Sequence, residues 1–92
     1  MLIPQETTRF RRDFRRVRRR GKDLEKLRAA VRMLVAEELL PERMRDHALV
    51  GDWRGCRECH IDPDWLLIYQ TDPEAGLLTL VRTGSHADLF NL

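Results

Sequence analysis

The chain has 92 residues, the length of one small domain, and its 42% apolar and 35% charged residues suit a folded protein with one modest core. No apolar run of about 18 residues occurs, which excludes a membrane-spanning helix, and the N-terminus lacks the basic and apolar regions of a secretory signal peptide. We therefore expect one domain over residues 1–92, located in the cytoplasm.

The first predicted elements are a short strand over residues 1–5 and a helix. Phe10, Phe14 and Val17 recur at the spacing of one helical face, and Gly21 predicts the end of this helix. Asp23 predicts the start of a second helix. Its apolar stripe consists of Leu24, Leu27, Val31, Leu34 and Val35. The short break between the helices predicts an antiparallel hairpin.

Arginine is concentrated in the first helix, where it fills eight of the twelve positions from 9 to 20. Residues 1–50 contain 14 basic and 8 acidic side chains, whereas residues 51–92 contain 3 and 7. Such a basic block indicates a surface for polyanions. A basic block of this kind is a solvated helix face about as often as it is a binding surface.

After Pro41 the apolar pattern changes to a period near two, which predicts strands over residues 53–61, 65–69 and 77–83. Aspartate, proline and glycine between them predict tight turns. The expected class is therefore α+β, with an N-terminal helical hairpin packed on a small, mostly antiparallel sheet.

The stretch Cys56-x-x-Cys59-His60 has the spacing of a c-type haem attachment site. In an extended strand, however, the two thiols point to opposite faces, which disfavours both haem attachment and a redox pair. A zinc site formed by a thiol and the three histidines stays possible in principle but lacks a second C-x-x-C. We expect structural cysteines, no cofactor and no bound metal.

From Asp46 onward the chain reads D-H-x-L-x-G-x-W-x-G-x-R-x-x-H-I-x-x-D-W-x-L-I-Y, and later R-T-G-S-H-x-x-L-F. This pattern resembles the YafQ branch of the RelE/ParE superfamily of bacterial toxins. The resemblance implies a RelE-like fold and the toxin component of a type II toxin–antitoxin system, an endoribonuclease that cuts mRNA on the ribosome. It also implies a cognate antitoxin protein as partner.

Carried over by position, the family's active-site residues fall on His47, His60, Asp64, His86 and Phe90, with Trp65 and Arg82 close by. Glu58 stands where the family pattern leads us to expect aspartate. With mRNA on the ribosome as substrate, the basic helix face is expected to contact ribosomal RNA, and the same helix could instead contact the antitoxin. The arginines concerned are Arg9, Arg12, Arg16 and Arg19.

The chemistry suits these residue types. The RNA 2′-hydroxyl attacks the adjacent phosphate when a base removes its proton and an acid protonates the leaving 5′-oxygen, and no metal is needed. Histidine serves both tasks because its ordinary pKa is about 6.5. We expect His86 and Asp64 to transfer protons, while His47 and His60 bind phosphate or assist.

The remaining predicted residues bind substrate. Arg57 and Arg82 are candidates to stabilise the phosphate charge. Phe90 would stack on a base, although it could merely anchor the tail. Trp65 would border the site, although it is more often a core residue.

A different class of function is also open. Some proteins of this superfamily inhibit a target such as DNA gyrase by binding alone. Such a protein does not need a histidine cluster, and this chain has its three histidines at motif positions. The sequence therefore favours the enzyme.

Overall fold

A computed structural model of the protein describes residues 1–90. The elements in chain order are β1 (Ile3–Glu6), α1 (Thr8–Arg19), α2 (Leu24–Val35), β2 (His47–Ala48), β3 (Arg57–Asp62), β4 (Trp65–Asp72), β5 (Leu77–Gly84) and α3 (His86–Phe90). Short 3₁₀ turns cover Glu42–Met44 and Gly51–Trp53. The predicted α+β class is confirmed. Within the described part of the chain, no helix has the length and apolar character needed to cross a membrane.

Both long helices begin at side-chain caps. The Thr7 hydroxyl accepts a hydrogen bond from the backbone N–H of Phe10 at 2.9 Å, and the Asp23 carboxylate accepts one from Glu25 at 3.1 Å. After α1 the chain reverses at Gly21, whose φ of +78° is readily adopted by glycine. The capping and the turn explain why the two predicted helices form where the sequence indicates.

The five strands form one sheet in the order β1-β5-β4-β3-β2. β1 pairs in parallel with β5, and the other pairs are antiparallel, as expected. α1 packs over β5 and α2 over β3. The buried residues between helices and sheet include Phe10, Val17, Leu27, Cys59, Trp65, Leu67, Tyr69, Leu78 and Leu80.

The other face of the sheet carries a smaller apolar cluster, formed around Leu66, Ile68 and Leu89 and partly covered by Trp53 and Phe90. Directly paired residues of antiparallel strands lie on the same face. Glu58 therefore shares this second face with Ile68, and His60 with Leu66, their partners on β4. This side of the sheet carries the candidate site.

The two cysteines belong to different faces. Cys59 is fully buried on the helix side, and Cys56 packs against the second cluster. Burial raises the pKa of the Cys59 thiol to about 12 and also raises that of Cys56. Both thiols therefore stay protonated near neutral pH. Their positions on opposite faces of the sheet confirm the predicted divergence of the pair.

The strand predicted over residues 53–61 is shorter in the structure and begins only at Arg57. Gly51 and Gly55 have φ values of +68° and +92°, and backbone in this conformation turns rather than extends. The chain before Arg57 instead forms a 3₁₀ turn and the two-residue strand β2, which the sequence did not indicate. β2 is important because it contains His47.

Candidate active site

The three histidines come from different elements: His47 from β2, His60 from β3 and His86 from the start of α3. The ring centroids of His60 and His86 are 5.8 Å apart. Nε2 of His47 lies 3.4 Å from a carboxylate oxygen of Glu58. Ligand atoms of Glu58, His60 and His86 all lie within 4.8 Å of one another. Glu58 thus joins the histidines into one cluster.

His86 forms a hydrogen-bonded pair with Asp64, which lies in the turn between β3 and β4. Nδ1 of the His86 ring lies 2.7 Å from Oδ1 of Asp64, and the His86 backbone N–H donates to the same oxygen at 3.0 Å. Both hydrogen bonds lower the pKa of the Asp64 carboxyl, and the hydrogen bond from the ring has the larger effect. A carboxylate only accepts, so Nδ1 bears the proton and Nε2 is left for the substrate.

The ring of His47 is oriented in a similar way by the backbone. Its Nδ1 lies 2.7 Å from the carbonyl oxygen of Arg45, which can only accept, so this nitrogen also bears a proton. Arg45 has the left-handed conformation with φ of +49°, which is uncommon for a residue other than glycine. The turn at Arg45 therefore directs Nε2 of His47 toward Glu58.

Glu58 belongs to the candidate site, although it was not among the residues predicted from the sequence. It is 5% exposed and forms its close contact with His47. The period-two alternation did place it on the same face as His60, which was the available signal. The Nδ1 atom of His60 is buried and has no hydrogen-bond partner among residues 1–90.

A groove of about 760 Å³ lies beside the cluster, between α2, the turn after Pro41 and the edge of β3. His60 and His86 form part of its wall. Its other lining residues include Ala30, Met33, Met44, Arg43 and Arg45. The groove thus combines an apolar floor with exposed cationic side chains beside the histidines.

The structure places the predicted phosphate ligand Arg57 away from this cluster. Arg57 pairs across the sheet with Tyr69, a core residue on the helix side. Its Nε donates to Asp46 at 3.2 Å, and the Tyr69 hydroxyl donates to the same carboxylate oxygen at 2.6 Å. In this structure Arg57 holds the segment before His47, and its contact with the phosphate stays a prediction.

Arg82 and Trp65 are also bound to other residues in the interior of the protein. Arg82 is 7% exposed, and its guanidinium donates to both carboxylate oxygens of Asp13 at 2.6 and 3.0 Å. Trp65 is 1% exposed, and its ring N–H donates to Thr83 at 2.9 Å. Both side chains are buried in this structure, and their contacts with a substrate stay predictions.

Phe90 does lie at the site. Its ring centroid is 6.4 Å from that of His86. It also packs edge-to-face on Trp53 with centroids 6.1 Å apart. A half-buried ring in this position is consistent with both alternatives, base stacking and anchoring of the tail.

The arginines of α1 fall into two groups. Arg9, Arg12 and Arg19 are exposed, as a surface for RNA requires. Arg16, predicted with them, instead contacts Asp13 at 3.4 Å and Asp88 at 3.0 Å. Its charge is therefore committed to acids within the protein.

Comparisons with known proteins extend these observations. Residues 3–91 match a family described as the bacterial toxin of type II toxin-antitoxin systems, YafQ. The mRNA interferase toxin YafQ of Escherichia coli strain K12 is 40% identical over 82 residues, which cover 88% of this chain and 87% of that protein. The similarity therefore includes the arginine-rich first half as well as the histidine-bearing second half.

Solved structures show the same arrangement of elements. A metal-bound toxin from Helicobacter pylori has a TM-score of 0.92 at 39% identity, with 98% of this chain and 100% of that chain covered. A chain of the E. coli DinJ-YafQ complex has a TM-score of 0.88 at 35% identity, with coverage of 98% and 99%. The fold described above is thus the one these toxins share.

Proposed function

The chain belongs to the YafQ family of bacterial type II toxins, and from this premise we propose that it cuts mRNA on the ribosome with its own histidines and carboxylates. It is an mRNA interferase toxin, and its partner is an antitoxin protein, as DinJ is for the E. coli relative. Cleavage on ribosomes implies action in the cytoplasm. The observation that carries the proposed mechanism is the cluster of His47, Glu58, His60 and His86 with Asp64.

We assign the general acid to His86. Asp64 accepts from Nδ1 and stabilises the protonated ring, so Nε2 can deliver a proton to the leaving 5′-oxygen. The bond from phosphorus to that oxygen breaks as the proton arrives, which releases a free 5′-hydroxyl. An oriented carboxylate partner is the usual means of fixing an imidazole for such a transfer.

We assign the general base to His47. Its Nδ1 proton is held by the Arg45 carbonyl, so the neutral ring presents a lone pair on Nε2. It takes the proton of the 2′-hydroxyl, whose oxygen then attacks phosphorus to form a 2′,3′-cyclic phosphate. The carboxylate of Glu58 stabilises the charged His47 that results.

The developing phosphate charge needs cations. With Arg57 and Arg82 engaged by Asp46 and Asp13, we assign this role to His60, with the groove residues Arg43 and Arg45 holding the neighbouring phosphates. Phe90 supplies the stacking surface for a base.

Replacing His86 by alanine tests the assignment. Proton-transfer groups contribute about 10² to 10⁴ in rate, so cleavage of a short mRNA on programmed ribosomes should fall by that factor. Antitoxin binding should be unchanged, and growth arrest should disappear. Full activity of the His86→Ala variant would remove this residue from the mechanism.

We propose that the exposed arginines of α1 bind ribosomal RNA. Replacing Arg9, Arg12 and Arg19 by glutamate should abolish ribosome cosedimentation at moderate salt, because phosphate contacts dominate such binding. The matched lysine variant keeps the charge and should retain binding. Unchanged cosedimentation of the glutamate variant would reject this surface.

Metal binding is a second candidate function of the same cluster. One carboxylate oxygen and two imidazole nitrogens within 4.8 Å form a donor set that suits Zn²⁺ or Cu²⁺, and the buried Nδ1 of His60 has no partner within the described chain. The H. pylori relative is a metal-bound toxin. A bound ion would occupy the histidines and inhibit cleavage, and isothermal titration with Zn²⁺ tests this, with the Glu58→Gln variant as control.

A further inference from the structure

The segment that carries His86 and Phe90 is only one short helix. α3 has five residues, far fewer than the roughly 12 to 15 that an isolated helix needs to be even marginally stable in water. Its position must therefore come from contacts with the rest of the protein. One of its own side chains, Asp88, makes most of the polar contacts.

Asp88 is bound by Arg16 of α1 and by Arg20, the residue directly after the end of α1. Its Oδ2 accepts from Nη1 of Arg20 at 2.6 Å, and its Oδ1 accepts from Nη2 of Arg20 at 3.1 Å. Nη1 of Arg16 lies 3.0 Å from Oδ1. The Asp88 side chain is 11% exposed, and these contacts hold its pKa well below the usual range. A carboxylate with three guanidinium contacts is a firm anchor.

Asp88 also caps its own helix. Its Oδ2 accepts from the backbone N–H of Ser85 at 2.9 Å, while the Ser85 hydroxyl accepts from the backbone N–H of Asp88 at 3.1 Å. This reciprocal arrangement is a capping box. It requires a close approach to Gly84, where a Cβ atom would lie 2.9 Å from Oδ2 of Asp88.

His86 lies inside this box, between Ser85 and Asp88. Its backbone N–H and its ring both bind Asp64, so the start of α3 is attached to the turn before β4. Asp88 attaches the same short helix to α1. The direction of the His86 ring depends on both attachments, because any movement of a five-residue helix also moves His86.

We propose that Asp88 is a positioning residue for RNA cleavage, which binds Arg16 and Arg20 so that α3 keeps His86 on Asp64 and beside His60. Asp88 itself does not touch the substrate. The inference rests on the proposed role of His86 in cleavage.

Single-turnover cleavage on saturating ribosomes tests the proposal. Asp88→Ala should slow cleavage about tenfold to a hundredfold without changing the protein concentration that gives half-maximal rate. Asp88→Asn should recover part of the loss, because its amide oxygen can still cap Ser85. In a His86→Ala background, Asp88→Ala should have no further effect, since the group it positions is gone.

Arg20→Gln supplies a second test that keeps α3 intact even where Asp88→Ala does not fold. The Arg20 side chain is 45% exposed, so its loss should leave folding unaffected while slowing cleavage severalfold. Arg18, in the last turn of α1, forms no ion pair within the described chain. Arg18→Gln removes the same charge close by and is therefore the matched control.

The outcomes separate the two claims. A fully active His86→Ala variant would overturn the role of His86 and this inference with it. An inactive His86→Ala variant, together with Arg20→Gln and Asp88 variants that cleave like Arg18→Gln, would overturn the inference alone. A further loss from Asp88→Ala in the His86→Ala background would also overturn it, because a purely structural effect would remain there.

Discussion

Two buried carboxylates of this protein have opposite surroundings. Asp13 is 2% exposed and accepts hydrogen bonds from Arg82 and from the Thr83 backbone, with Arg16 beside it. Glu58 is 5% exposed, and within residues 1–90 its close contact is with His47 at 3.4 Å. The Asp13 carboxylate has several close hydrogen-bond donors, whereas the Glu58 carboxylate can accept further hydrogen bonds.

This difference distinguishes a carboxylate that stabilises the fold from one that can take part in the reaction. The Asp13–Arg82 ion pair joins α1 to β5 and stabilises their packing. The Glu58 carboxylate, in contrast, can bind a neighbouring histidine more strongly when that histidine becomes charged. Buried polar groups are normally paired, so an incompletely paired group beside a groove indicates a site that the substrate completes. The buried Nδ1 of His60 supports the same conclusion.

Replacing Asp13 by alanine should give the largest effect on stability. It leaves the Arg82 guanidinium buried without its partner, which costs about 3 to 5 kcal/mol in the free energy of unfolding. Denaturant unfolding followed by circular dichroism measures this. The double variant Asp13→Ala with Arg82→Leu removes both charges and should recover most of the loss; equal instability of the two variants would contradict the assignment.

Glu58→Gln should have a small effect on stability and a larger effect on cleavage. The change keeps the shape and removes a charge with one long contact, so the free energy of unfolding should change by no more than about 1 kcal/mol. Cleavage should slow about tenfold, equivalent to about 1.4 kcal/mol, because charged His47 loses its partner. Destabilisation as large as that of Asp13→Ala would show that Glu58 is structural.

The sequence predicted most of the fold and brought the three histidines and Asp64 of the candidate site to attention, but not the partners of each charge. Periodicity and capping residues are local, which is why both helices and the three main strands could be predicted. Arg57 and Arg82 were predicted to bind the phosphate, whereas the structure pairs both with carboxylates. Asp46 and Asp13 bind them, and for Arg82 the partner lies 69 residues away in the chain, a contact that no local pattern contains.

Glu58 was missed as a site residue although its type and face were visible. The motif indicated an acid at this position, but only the two-residue strand β2 brings His47 against it. β2 depends on the glycine turns at Gly51 and Gly55 and on the left-handed conformation of Arg45. Short elements of this kind lack a periodic signal because they are too short to have one.

The smallest effect concerns the titration of Asp64, which lies outside both buried networks. The ring and backbone N–H groups of His86 stabilise its ionised form, so its pKa lies below the ordinary value of about 3.9. A lowered pKa contributes stability above the unfolded value, and that contribution is lost as the pH falls through the folded value. The His86–Asp64 pair should therefore persist until the pH is below about 4.

Carbon-detected NMR of the Asp64 carboxyl measures this directly. The His86→Ala variant removes the ring donor, which is the largest cause of the shift, so the midpoint should rise toward the ordinary value while the backbone hydrogen bond keeps it slightly lower. Because the Asp64 side chain is 68% exposed, solvent screens the pair and the change in stability should be small. An identical midpoint in both proteins would mean that the His86 ring does not interact with Asp64 in solution, and the proposed general acid would then lack the partner that orients it.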